Sequence, residues 1–295
     1  MNVSHSVDTN TCKPCGLCSE ICPAGIIQQS TSGEISFRPD RVELCVLCGH
    51  CMAICPTKSM HAGELSYDTD FFDLSKTIYD ADAFSNFLAS RRSVRVFKDT
   101  PVPHDTLEKL VDMISLSPMG FPPHLIEIAV VQNPEVMRKA LPFMIKTYSD
   151  LVKYMSNPFT RFFMRLIVPK AAMTVLTNHV VPLMSKRLPY LDTEKKDIIM
   201  RSAPAMLLFH ADRNAMIGAE DAGIYQAYGL LAAHSLGLGA TAIGLVPPPI
   251  NRSKELRKLL NIPEKHNVLA CVILGYPKYT FRRGIRRNLA GVQWL

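Results

Sequence analysis

Cys12-Lys-Pro-Cys15-Gly-Leu-Cys18-Ser-Glu-Ile-Cys22-Pro23 is repeated 33 positions on as Cys45-Val-Leu-Cys48-Gly-His-Cys51-Met-Ala-Ile-Cys55-Pro56. Eight of the nine cysteines of this 295-residue chain fall in the two runs, and the ninth, Cys271, lies far away in an apolar stretch. The opening MNVSHSVDTN has neither a basic segment nor an apolar one of secretory type, so a cytoplasmic, reducing location is expected. There, crowded cysteines point to metal ligation and not to disulfides. Zinc is disfavoured, because zinc sites usually come as separated CxxC pairs.

Both runs have the form CxxCxxCxxxCP, and this spacing resembles bacterial two-cluster ferredoxins. Three thiolates two residues apart can wrap three corners of a cubane, whereas a fourth, three residues on and followed by proline, is directed away. Each fourth cysteine then serves the other centre. Cys12, Cys15, Cys18 and Cys55 are expected to hold one [4Fe-4S] cluster, and Cys45, Cys48, Cys51 and Cys22 the second. Between the runs, Ile26, Ile27, Ile35 and Phe37 flank Ser32-Gly33, which predicts a small apolar hairpin. A head this small cannot rely on an apolar core, so the clusters should supply much of its folding energy.

Outward from this head, residues 1–65, the chain changes character. The head carries 4 basic and 6 acidic side chains, and the remaining 230 residues carry 29 and 20. A mildly acidic head thus precedes a basic body. Residues 66–83 are acidic and aromatic without an apolar period and read as a connector that packs onto the body. From 84 to 295 the pattern is that of a folded domain. Phe84, Phe87 and Leu88 begin a helix that runs into Arg91-Arg92-Ser93-Val94-Arg95, three guanidinium groups and a hydroxyl in five residues. Guanidinium groups pair bidentately with phosphate. By itself a short basic run is ordinarily a solvated face.

Three longer segments give that run a context. RRSVRVFKD with PVPHDTLEKLVDMISLSPMG (residues 91–120), DAGIYQAYGLLAAHSLGLGATAIGL (221–245) and LGYPKYTFRRGIRRNLAGVQW (274–294) resemble, in order, segments of the FMN-dependent nitroreductase family. The resemblance implies an α+β fold: a nitroreductase-like FMN-binding sandwich, with a mainly antiparallel sheet between helices, preceded by the small two-cluster ferredoxin-like domain. It implies that Arg91, Arg92 and Ser93 bind the FMN phosphate and ribityl chain, and that Arg95 lies near the pyrimidine edge, where a cation stabilises charge on the reduced flavin. Pro118, Met119 and Gly120 match the loop along the isoalloxazine, Ile243 and Gly244 the strand end near N5, and Arg283 and Arg287 the tail that returns to the phosphate. Arg282 and Arg286 are adjacent alternatives to that last pair. A homodimer is implied as well, and the apolar helix from Ile224 to Leu236 suits a dimer core.

Two departures from the family pattern stand out. Pro122-Pro123-His124-Leu125 replaces an amide-bearing Asn-Ser-Gln-Pro stretch, which leaves the substrate class open and makes His124 the histidine to test as proton donor. Residues 144–201 are longer and more basic than a connection needs and read as a helical lid insertion. Its Phe162–Met184 stretch is cut by Arg165 and Lys170, too early for a membrane span. Contact with an anionic membrane surface is possible for it, but Pro169 interrupts any amphipathic helix and favours a lid on the body or on a partner subunit.

Other features read as structural. Gly237-Leu-Gly239 follows a helix where a dinucleotide loop would open one, so Gly237 reads as a helix cap. His210 and His234 read as hydrogen-bonded structural histidines, and Cys271 as a buried, inert thiol. Basic residues are dispersed, which argues against nucleic acid.

These features predict a flavin oxidoreductase relaying single electrons through two [4Fe-4S] clusters to FMN, with two-electron reduction of an electron-poor acceptor: a nitroaromatic, quinone or activated alkene. The donor would be a low-potential one such as reduced ferredoxin. Two rivals are an NAD(P)H-linked flavoprotein sending electrons outward through the clusters, and a non-enzymatic iron–sulfur carrier or redox sensor.

Overall fold

The computed structural model describes residues 5–76, 79–120, 125–191 and 197–295. The chain forms two compact units, one from residues 1–79 and 120–123 and the other from residues 80–119 and 124–295.

In the first unit, β1 (His5–Val7) pairs antiparallel with β4 (Met60–Ala62), and β2 (Ile27–Gln29) with β3 (Ile35–Phe37). The second pair is the hairpin expected from the apolar flanks, closed where Gly33 takes a φ of 89°. Two short helices, α1 (Leu17–Ile21) and α2 (His50–Ala53), each begin just after the second cysteine of a run. Ile26, Ile27, Ile35, Met52 and Met60 form a small core. Tyr67 and Phe71, expected to pack onto the body as part of a connector, instead pack on this core, and the Tyr67 hydroxyl donates to the Met52 carbonyl at 3.2 Å. In so small a core two aromatic rings add a large share of apolar contact.

The second unit is built on a four-stranded antiparallel sheet of β5 (Glu127–Val131), β6 (Ala205–Asp212), β7 (Gly239–Ala242) and β8 (His266–Gly275), ordered β5-β6-β8-β7. Alternation decides its two faces. Ala205, Leu207 and Phe209 with Val272 and Leu274 face α4 (His104–Ser115) and α9 (Gly218–Ser235), while Met206 and Leu208 with Cys271 and Ile273 face α5 (Pro134–Ser156) and α10 (Pro247–Arg252). Being covered on both sides, β6 reads as an almost unbroken apolar run. Gly229 lets α9 close on the sheet, since a Cβ there would stand 3.3 Å from Ile114 and 3.6 Å from Phe209.

The remaining helices are α3 (Ala81–Ser90), α6 (Pro158–Ile167), α7 (Lys170–Val175), α8 (Val181–Leu191) and α11 (Lys254–Leu259), with a π-helical turn at Leu176–Val180 between α7 and α8. Met144, Tyr148, Leu151 and Met155 of α5, with Met173 and Met184, belong to the core of this unit. By contrast α6 turns Phe159, Phe162, Leu166 and Ile167 outward, each at least 60% exposed, and only Met164 packs on the core. Pro169 separates α6 from α7, as expected of a residue that lacks an amide hydrogen. Gly237, with φ of 75°, caps α9, and the Leu238 amide donates back to the Ala233 carbonyl at 2.8 Å. Among the described residues no helix is long and apolar enough to cross a membrane.

Candidate functional site

The cysteine runs fold as two loops around two cavities. One cavity is lined by Cys22, Cys45, Cys48 and Cys51, the other by Cys12, Cys15, Cys18 and Cys55. Each therefore takes three thiols from one run and the fourth from the other. Gly16 and Gly49, following Cys15 and Cys48, adopt left-handed φ of 79° and 72° as the N-caps of α1 and α2. A Cβ at Gly16 would stand 2.7 Å from the Gln29 side chain, so only glycine allows this turn without rearrangement.

The four cysteines of each set line one cavity. Burial, then the neighbouring Cys45 and Cys48 thiols, push Cys51 up to about 11. Burial also raises Cys12, Cys18 and Cys45. Cys55 goes the other way: burial raises it, but donors at Thr57, Ser59 and Met60 outweigh that and hold the thiol below its ordinary range. The Ser59 amide donates to its sulfur at 3.3 Å.

In the second unit, α3 ends at Ser90 and delivers Arg91, Arg92 and Ser93, all half-buried, to the free edge of β7. Ser93 bridges Ala240, and the Val94 amide donates to the Ala240 carbonyl at 3.1 Å. The contact is tight: a Cβ on Gly239 would stand 2.7 Å from the Val94 side chain. Arg95 is exposed and donates to the Ser93 carbonyl at 3.4 Å. The chain then runs beside the start of the tail, with the Lys98 amide donating to the Tyr276 carbonyl at 2.8 Å and the Lys278 amide to the Val96 carbonyl at 3.1 Å. Further on, Gly284 lies against Ala89, 3.4 Å from its Cβ position to the Ala89 carbonyl oxygen, so the exposed tail carrying Arg283 and Arg287 passes the end of α3.

Ile243 and Gly244 come directly after β7. The Ile243 amide donates to the Cys271 carbonyl at 3.0 Å, and a Cβ on Gly244 would meet nothing within 4 Å, leaving open space above that backbone. Pro118 and Met119 sit exposed in the loop after α4, with no hydrogen bond to the arginine turn among the described residues, and Gly120 is half-buried. His124 lies outside the described residues.

Two groups at this site carry no sequence motif. The Tyr148 hydroxyl, far off on α5, donates to the Leu245 carbonyl at 2.7 Å and so holds the loop at Gly244. Arg201 sits at φ of 60° in a turn pinned by Asp197, whose carboxylate accepts the amides of Ile199, Met200 and Ser202 at 2.8–3.0 Å. Burial, then the nearby charge of Arg95, lowers the Arg201 guanidinium below its ordinary range, and its Nε is buried without a hydrogen-bond partner. A half-buried guanidinium beside a second one invites an anion, which fits a phosphate-bearing cofactor or an acidic substrate group. Its only sequence signal is the aspartate four residues earlier.

His234 accepts or donates a 2.7 Å hydrogen bond with Ser90 and packs on Phe87, and Cys271 is fully enclosed, its thiol raised by burial.

Residues 88–276 match the family model described as "Nitroreductase family". The chain belongs to the nitroreductase family. Residues 11–60 of this nitroreductase match a second model, described as "4Fe-4S dicluster domain". An Archaeoglobus fulgidus protein provisionally named NADH dehydrogenase/NAD(P)H nitroreductase is 30% identical over 189 residues, which cover 64% of this chain and 82% of that one. Solved nitroreductases with bound FMN from Bacteroides fragilis and Desulfitobacterium hafniense share the fold, with TM-scores of 0.53 and 0.51 at 18% and 19% identity, each covering 72% of this chain and 97% of its own. The nitroreductase is thus an α+β oxidoreductase with a ferredoxin-type N-terminal segment.

Proposed function

We propose that this nitroreductase holds two [4Fe-4S] clusters and FMN on one chain and uses them to reduce an electron-poor organic acceptor such as a nitroaromatic, quinone or activated alkene. The observation that carries the reading is the pair of cavities, each lined by four cysteines shared between the two runs. When bound, the clusters carry single electrons and the flavin stores two for transfer to the acceptor.

The chain's own residues have separable tasks. The eight thiols, as thiolates, neutralise the cluster irons, and the amide of Ser59 lowers the charge on Cys55. Arg91, Arg92 and Ser93 grip the FMN phosphate and ribityl chain, and Arg283 and Arg287 approach it from the tail. Arg95, supported by Arg201, supplies positive charge to the reduced ring. Ile243 and Gly244 leave room for the ring edge, Pro118, Met119 and Gly120 line its flank, and the helices of 144–201 serve as a lid. Two copies pair through α9, whose Ile224 and Tyr228 are more than a third exposed in the single chain.

The name of the Archaeoglobus relative favours NAD(P)H as a second possible donor. Stopped-flow mixing of anaerobically purified protein separates the two readings. With about eight irons and one FMN per chain, the flavin should bleach rapidly with reduced ferredoxin and slowly with NADH or NADPH. Fast bleaching by either nucleotide alone reverses the direction of flow, and material with iron but no flavin overturns the proposal.

A further inference from the structure

Three side chains of metal-ligating type meet at one end of the sheet in the second unit. Glu127 on β5 stands opposite His210 on β6, and His266 opens β8. The register between β6 and β8 slips between Phe209 and His210, so that His210 faces Val268. Cross-strand partners share a face, and so do residues two apart. The slip therefore places Glu127, His210 and His266 on the same face, the one bearing Met206 and Leu208.

Their separations are 3.0 Å between the Nδ1 atoms of His210 and His266, 4.0 Å from His210 Nδ1 to Glu127 Oε2, and 3.9 Å from His266 Nε2 to Glu127 Oε1. The two rings satisfy one another by a hydrogen bond, but the carboxylate is beyond hydrogen-bond range of both. Ligand atoms about 2.1 Å from a tetrahedral ion lie about 3.4 Å from one another. One ligand atom from each residue falls within 4.8 Å of the other two, so small side-chain rotations bring all three onto one ion.

The site is also held in place. Asn251 clasps the backbone of Val268 from both sides, with two hydrogen bonds of 2.8 Å. Arg257 donates to the carbonyls of His266, Asn251 and Pro263, so its charge is already engaged with backbone oxygens. The His210 side chain is 4% exposed and that of Glu127 59%, which gives an enclosed inner ligand and an outer one open to an ion arriving from solvent.

We propose that Glu127, His210 and His266 bind a divalent transition-metal ion of the zinc type, with two imidazole nitrogens and one carboxylate oxygen as ligands and water completing the shell. Such an ion ties together β5, β6 and β8. It lies at the opposite end of β8 from Leu274, which pairs with Ala240 beside the arginine turn, eight residues or about 26 Å along the strand. The site is therefore separate from the proposed flavin cradle and stands or falls independently of it.

The test is a zinc titration, by calorimetry and by thermal unfolding, of the full chain prepared anaerobically with its cofactors. Wild type is compared with Glu127→Gln and His266→Gln. Every cysteine is common to the three proteins, so zinc taken up by thiols cancels in the comparison. His210 is left intact because its burial makes substitution there a risk to folding, whereas Glu127 is exposed. Wild type should bind one more zinc per chain than either variant at low concentration and gain in Tm, with affinity reduced at least about tenfold in Glu127→Gln. Zinc uptake and Tm response equal to wild type in either variant overturns the proposal and leaves a hydrogen-bonded histidine pair.

Discussion

Gly239 carries no side chain because Val94 occupies the place where one would be. Gly239→Ala must push the β-branched Val94, which has little rotamer freedom, off the edge of β7, at a cost of about 1–3 kcal/mol. The arginine turn moves with it, so purified Gly239→Ala should carry less flavin per iron than wild type, read from the visible spectrum. His234 makes a second residue-level prediction. Burial, and then the charge of Arg91, hold its pKa below the ordinary 6.5. A depressed histidine contributes stability that is complete above the unfolded value and is lost as pH falls through the folded one. Thermal midpoints should therefore drop on acidification below about pH 6.5, and His234→Gln should flatten that part of the profile. A variant whose slope matched wild type would remove His234 as its source. The apolar helix around it makes His234 legible as a hydrogen-bonded structural histidine, but its partner Ser90 lies 144 positions away and has no local signal.

Among the elements, β6 dominates the second unit, and Phe209 is its largest enclosed side chain, set between α4 and α9. Phe209→Ala should cost about 3–5 kcal/mol, measured by chemical denaturation, because Ile114 and Gly229 leave no slack through which the helices could collapse into the hole. Elements with strong periodicity or punctuation are legible in the sequence. The hairpin of β2 and β3 is announced by apolar pairs around Ser32-Gly33, and the end of α9 by Gly237. The connector is not, since acidic, aromatic sequence gives no hint of which surface its rings will cover; Tyr67 and Phe71 cover the cysteine unit's core. The outward apolar face of α6 is equally hidden, because composition alone cannot say which side of an amphipathic helix meets the protein.

For the whole molecule, the two units have cores of their own, built from separate sets of residues. Arg91→Ala with Arg92→Ala should thus abolish flavin retention and leave the iron–sulfur absorbance intact, while normal flavin content would refute the phosphate assignment. In the cysteine unit the spacing groups the eight thiols as the two cavities do, because ligand spacing is a local code. The body's site can be read only in parts. Tyr148 and Arg201 reach it through long-range folding, and no window of sequence joins them to Gly244 or Arg95.

The borrowing of one thiol by each cavity from the opposite run has a consequence for upkeep. A lesion at Cys22 or Cys55 is not confined to the loop that contains it: it opens the neighbour's cage as well as loosening its own strand. Damage at either position is therefore felt first in the cavity formed mainly by the other run.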